Sequence, residues 1–145
     1  MIALQQSKDL SPEEYIEAEK TSQVKHEYHN GEVWAMAAPS DAHVTIVDNV
    51  SFVLKVRLRG TGYLSFSSDM KARIEDLNRY YYPDVLVTCD DRDRQLRYEK
   101  KYPQLIVEVL SDSTEAFDRG DKFHHYQQLE TLQEYVLVSQ RQMRV

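Results

Sequence analysis

Two acidic residues stand where the surrounding pattern gives them no local excuse. In "YYYPDVLVTCD" (residues 80–90), Asp84 follows Pro83 at the mouth of a run that reads as a buried strand. In "QLIVEVLS" (residues 104–111), Glu108 interrupts a run that is otherwise apolar around it. Continuous apolar runs mark strands covered on both faces. A carboxylate in such a run is costly unless it is paired, protonated or ligating. Strand alternation puts Asp84, Leu86 and Thr88 on one face of the first run, and Ile106, Glu108 and Leu110 on one face of the second. Neighbouring strands lie about 4.8 Å apart, so the two carboxylates could share one divalent cation. Magnesium commonly uses one or two carboxylates, completed by water and phosphate. The competing reading has Asp84 capping the loop at 80–83 and Glu108 paired with a lysine or arginine.

Other chemistries find little support. His26 and His29 fall on opposite sides of a strand, His124 and His125 diverge on a helix, and no cysteine pair exists, so a zinc site is poorly supplied. Cys89, the only cysteine, sits inside a strand pattern and reads as a core residue. No glycine-rich phosphate loop is present.

The elements that must position Asp84 and Glu108 follow from periodicity and caps. "DLSPEEYIEAEK" opens a helix with Ser11 as N-cap, Pro12 at the first position and Glu14 completing a capping box. Asn30-Gly31 marks a hairpin within "KHEYHNGEVWAMA". "SDAHVTIVDNVSFVLKVRLRG" is a longer helix, with Val47, Val50, Leu54 and Leu58 at helical spacing and Gly60 at its stop. Strands follow at "YLSFSS", "MKARI", "DVLVTC" and "QLIVEVLS", with a loop at "EDLNR". A helix runs from about Asp118, and "EYVLVSQ" is a last strand. The abrupt end at "QRQMRV" suggests a chain that continues in a longer form.

At 145 residues the chain reads as one domain, and its net charge of −6 argues against nucleic-acid binding by overall charge. One local basic tract, Arg92, Arg94, Arg97, Lys100 and Lys101, is either a phosphate-contacting patch or a solvated connection between strands. No apolar run approaches a membrane span and no secretory leader opens the chain, so a cytoplasmic protein without membrane contact is expected.

Pro83-Asp84 followed by Glu108 in "LIVEVLS" resembles the PD-(D/E)XK nuclease core. The ordered set "KHEYHNGEVWAM", "APSDAH", "SSDMKARI", "YYYPDVLV", "PQLIVEVLSDST", "DRGDKFHHYQQL" and "EYVLVSQ" resembles the Uma-type, restriction-endonuclease-like family of bacterial proteins. The resemblance covers nearly the whole chain. It implies a single α/β domain over residues 1–145, with a restriction-endonuclease-like core. That core would be a central mixed sheet flanked by helices, with an N-terminal helix and β-hairpin. It further implies metal-dependent cleavage of phosphodiester bonds in DNA, with Asp84, Glu108 and the Val109 carbonyl holding Mg²⁺ or Mn²⁺ and a lysine assisting. The usual place for that lysine, two residues after the glutamate, is Leu110 here. Lys122 is the substitute, one helical turn before Tyr126; its alternative is a surface lysine paired with Asp118. Glu32, His43 and Asp69 are secondary candidates for the same cleft, each with a surface or turn reading beside it. The tyrosines at 80–82 would pack around the site or stack on bases, and a homodimer burying tyrosine-rich surface is expected. The alternative function is a binding or assembly domain that keeps the fold without cleaving.

Overall fold

The computed structural model describes residues 9–145; the reading that no secretory leader opens the chain falls on residues outside them. Ser11 starts α1 (Pro12–Glu19) by the capping box expected of it. Its hydroxyl accepts from the Glu14 amide at 3.2 Å, and Glu14 Oε2 accepts from the Ser11 amide at 2.8 Å. β1 (His26–His29) and β2 (Glu32–Ala35) then pair antiparallel across Asn30-Gly31. Asn30 (φ 47°) and Gly31 (φ 91°) both take positive φ, as the tight hairpin turn requires. A Cβ on Gly31 would sit 3.1 Å from the Asp9 Cα. Gly31→Ala should therefore destabilise by about 1–3 kcal/mol, a drop of several degrees in a thermal melt; an unchanged Tm would show that the turn relaxes freely.

α2 (Asp41–Arg57) starts at Ser40, whose hydroxyl accepts from the His43 amide at 3.2 Å. β3 (Leu64–Ser67) and β4 (Lys71–Ile74) follow. The segment read as a loop at "EDLNR" is a short 3₁₀ turn, Glu75–Leu77, that leads straight into an unforeseen strand, β5 (Arg79–Tyr81). Beyond it come β6 (Val85–Thr88), α3 (Asp91–Arg94), β7 (Glu99–Lys100), β8 (Leu105–Leu110), α4 (Glu115–Arg119), α5 (Asp121–Tyr126) and β9 (Glu134–Ser139). The helix expected from Asp118 is thus two short helices meeting at Gly120, where a Cβ would lie 3.0 Å from the Ala116 carbonyl oxygen.

The fold is mixed α/β, and its strands divide into two mixed sheets, in the orders β2-β1-β5-β4-β7 and β3-β6-β8-β9. The division falls at Tyr82-Pro83-Asp84: β5 belongs to one sheet and β6 to the other, and Pro83 has no N–H with which to continue a ladder. The four-stranded sheet separates two apolar layers. On one face, Val85, Val107 and Val109 pack beneath α2 against Val47. On the other, Leu86 and Ile106 meet Ala72, Ile74 and Tyr81 of the five-stranded sheet and Tyr126 of α5.

Four of the five residues of the basic tract around α3 are tied down internally, and Arg97 is exposed. Arg92 pairs with Asp90 and Glu130, Arg94 with Asp91, and Lys101 with Glu75. Lys100 is buried and donates to the Asp93 and Leu96 carbonyls. Of its two readings, the structural connection between strands is the one these contacts support. Tyr80, Tyr81 and Tyr82 are all buried, as are Tyr15, Tyr28 and Tyr126. A tyrosine-rich surface for a homodimer is therefore not what these side chains form, and Tyr80 and Tyr81 are not open for stacking on bases. Among the described residues no helix is long and apolar enough to cross a membrane.

Candidate active site

β6 and β8 pair antiparallel with Val85 opposite Val107, so Asp84 and Glu108 are the next opposing positions at the open end of the pair. Residues directly opposite in such a pair have Cβ atoms about 4.5–5.5 Å apart. Asp84 is held on both oxygens. The Val109 amide donates to Oδ2 at 2.7 Å, and His43 Nε2 meets Oδ1 at 2.8 Å. The His43 imidazole is raised above its ordinary pKa by this hydrogen bond, with the charge of Asp84 adding to it against the cost of burial. His43 reaches Asp84 because the Ser40 cap fixes the first turn of α2 over the mouth of β6. Gln140, just beyond β9, braces that arrangement: its amide nitrogen donates to the Leu110 carbonyl at 2.8 Å and lies 3.4 Å from His43 Nδ1.

Glu108 is 4% exposed and Lys122 is 5% exposed. Lys122 Nζ lies 2.8 Å from Glu108 Oε1, and 3.6 Å from both Glu27 Oε1 and Asp118 Oδ1. The Tyr126 hydroxyl also donates to Glu108 Oε1, at 3.0 Å. Lys122 and Tyr126 sit one turn apart on α5, so both reach the same carboxylate. Both readings of Lys122 hold in part: it points into the cleft, and Asp118 at i−4 is its partner there, buried rather than on the surface.

Charge is out of balance in this cluster. Burial pushes Glu108 up to about 8, the carboxylates of Asp84 and Asp118 push the same way, and Lys122 pulls against them. Glu27 and Asp118 are also raised, first by burial. Lys122 is held well above the ordinary lysine value: burial opposes its charge, but Glu108, Glu27 and Asp118 together outweigh it.

These side chains line one cleft of about 780 Å³. Its walls include Asp84, Glu108, Val109, Lys122 and His43. Two secondary candidates are elsewhere. Glu32 opens β2 opposite His29 and is not part of the cleft wall: β2 is the outer strand of the five-stranded sheet, with β1 between it and β5. Asp69 is an exposed turn residue paired with Lys25 at 2.8 Å. The carboxylate that the hairpin does supply is Glu27, which strand alternation points away from the Tyr15–Tyr28–Tyr80 cluster and toward Lys122. The only signal for it was a glutamate within the short strand pattern "HEYH", where flanking histidines hid its burial.

The donor set suits a hard divalent cation. Asp84 and Glu108 supply carboxylate oxygens at one strand mouth, and Lys122 leaves the surrounding carboxylates undercompensated. Among the described residues no three His, Cys, Asp or Glu side chains converge as a closed metal cage. An ion held by one or two carboxylates and completed by water and phosphate needs none.

The family comparisons agree with this architecture. The profile of the Uma2 family, described as "Putative restriction endonuclease", matches residues 12–145. The chain is 45% identical over 130 residues to the uncharacterised protein slr1290 of Synechocystis sp., covering 90% of this chain and 68% of that one. It is 34% identical over 144 residues to sll1609 of the same organism, covering 97% and 80%. The crystal structure of a "putative nuclease" belonging to DUF820 from Anabaena variabilis shares the fold at a TM-score of 0.66 and 15% identity, covering 81% of this chain and 68% of that one. A restriction-endonuclease-like fold and a profile match along almost the whole chain place this protein in the Uma2 family.

Proposed function

We propose that the protein is a metal-dependent endonuclease that hydrolyses phosphodiester bonds in DNA. The observation that carries this reading is the placement of Asp84 and Glu108 at the shared mouth of β6 and β8, with Lys122 2.8 Å from Glu108. Asp84, Glu108 and the Val109 carbonyl would hold Mg²⁺ or Mn²⁺. When bound, such an ion polarises the phosphate and lowers the pKa of a water. The chain's own residues do the rest. The Val109 amide and His43 fix the Asp84 carboxylate in one orientation. Lys122 is an ammonium under working conditions, so its role is to stabilise negative charge on the attacked phosphate rather than to take a proton from water. Tyr126 and Lys122 hold Glu108 at the cleft wall.

Two observations favour the non-catalytic alternative: Lys122 Nζ, 2.8 Å from Glu108 Oε1, competes with an ion for that carboxylate, and Leu110 stands where the assisting lysine usually lies. Single-stranded circular DNA and supercoiled plasmid, each incubated with the protein and Mg²⁺ or Mn²⁺, separate the two. Nicked or linear product from at least one of them that disappears with EDTA is expected; both substrates intact under both ions would leave a binding or assembly role. A homodimer remains part of the proposal. The exposed Phe52, Val53 and Val56 on the outer face of α2 are its support in place of tyrosines, and sedimentation at micromolar concentration tests it.

A further inference from the structure

We propose that the substrate of this cleft is a short single-stranded stretch of DNA, and that duplex DNA is excluded by charge. The inference rests on the nuclease reading and narrows its substrate. The cleft walls carry seven carboxylates against three lysine and arginine side chains, with His43 already bonded to Asp84. Each of the three is already engaged. Lys25 lies 2.8 Å from Asp69, Arg141 2.5 Å from Asp112, and Lys122 2.8 Å from Glu108. Proteins that hold a duplex commonly neutralise about 6–10 phosphates with lysine and arginine. Among the described residues, the walls of this cleft do not supply that. Arg92, Arg94, Lys100 and Lys101 are tied to Asp90, Asp91, Glu130, Glu75 and backbone carbonyls, the exposed Arg97 adds a single charge to that tract, and the chain as a whole carries −6. A divalent ion at Asp84 and Glu108 offsets one or two phosphates, not a run of them.

The cleft also offers what a duplex cannot use. Its volume, about 780 Å³, is that of a small-ligand pocket, and part of its wall is apolar: Met36, Ala37, Ala38, Pro39, Val44 and Phe117. A duplex keeps its bases stacked inside and presents its backbone. An unpaired strand can turn a base toward apolar and aromatic side chains while its phosphate faces the ion that Asp84 and Glu108 would hold. The occupant that matches a few phosphates and an accessible base is a single strand or a single-stranded end.

The test compares three fluorescein-labelled probes: oligo(dT) of about four nucleotides, oligo(dT) of about twenty, and a mixed-sequence duplex of about twenty base pairs. Cleavage with Mn²⁺ is measured between about 50 and 200 mM NaCl, and binding to metal-free protein is followed by anisotropy in EDTA. Expected are similar kcat/KM values for the two single strands and at least a tenfold lower value for the duplex. The log–log salt slope should be about −1.4, the value for two phosphate contacts on a single strand. In EDTA the duplex should bind no better than the short oligo(dT). Cleavage of the duplex as fast as the single strands, a slope of about −5 or steeper, or tight duplex binding in EDTA would overturn the inference and leave the nuclease reading standing. No cleavage of any probe would overturn both.

Discussion

Glu108→Gln should raise the melting temperature of the metal-free protein at pH 8.5, and the gain should largely vanish at pH 5. In the folded protein the Glu108 carboxyl titrates near 8, because burial first, and Asp84 and Asp118 next, disfavour its charge. In the unfolded chain it titrates near its ordinary 4.5. Between those values the unfolded chain releases the proton while the folded protein keeps it, so stability falls as pH rises through that window and the full penalty stands above it. Glutamine does not ionise and escapes the penalty. A displacement of this direction and extent corresponds to a few kcal/mol, or a rise in Tm of about 5 °C or more. Lys122 is not stranded by the change, because Glu27 and Asp118 remain 3.6 Å away. With Mn²⁺ the order reverses: the parent gains stability from the ion and the variant does not. Loss of a residue that merely supports a metal ligand typically costs about 10–100-fold, so loss of the ligand itself should lower cleavage by at least about a hundredfold. A variant that melts below the parent at pH 8.5 while its Mn²⁺ response is unchanged would remove Glu108 from the site.

Lys122→Met should give the largest loss of stability of any single change in the cleft. It leaves Glu27, Glu108 and Asp118 buried around an apolar side chain. Removing one partner of a buried ion pair typically costs roughly 3–5 kcal/mol, on the order of 10 °C in Tm at this chain length. The raised pKa of Lys122 keeps its contribution whole at every pH below the ordinary lysine value, and that contribution fades only as pH climbs through the higher folded value. Any change in the defect between pH 5 and 9 therefore belongs to the carboxylates. The defect should shrink toward pH 5, where the raised carboxyls take up protons. Added Mn²⁺ should recover more Tm in the variant than in the parent, since the ion supplies the missing positive charge. A variant within about 2 °C of the parent at pH 8 would show that the three carboxylates are not a charged cage.

The parts of the site that the sequence reveals are those with a local signature. Glu108 stood out against its apolar neighbours, and Asp84 stood out at the mouth of its strand. Lys122 could be placed because its spacing to Tyr126 is a property of one helix. What stayed hidden depends on contacts between distant segments. Glu27 is buried because β1 pairs with β5 through Tyr28 and Tyr80, and β5 itself was obscured by the turn residues before it. Asp118 reads on a helix as an ordinary i−4 partner, and only the docking of α4 and α5 against β8 makes it a buried one. His43 reaches Asp84 through the way α2 lies across the sheet, which no spacing within α2 encodes. The division into two sheets escaped for the same reason, since strand runs and turns say which segments are extended but not which edges meet.

The alternation along β8 has a consequence for how the protein folds. Three consecutive positions send Val107 and Val109 into the dry valine layer under α2 and Glu108 into the polar cage beside Lys122. A one-residue slip of β8 against β6 would exchange them, driving a carboxylate among valines and leaving Lys122 facing a methyl group. An all-valine strand would tolerate that slip far better, because its two faces would be nearly interchangeable. The residue on which the proposed chemistry depends is thus also a register lock, and a chain that loses it trades part of its pairing fidelity for a less strained charge cluster.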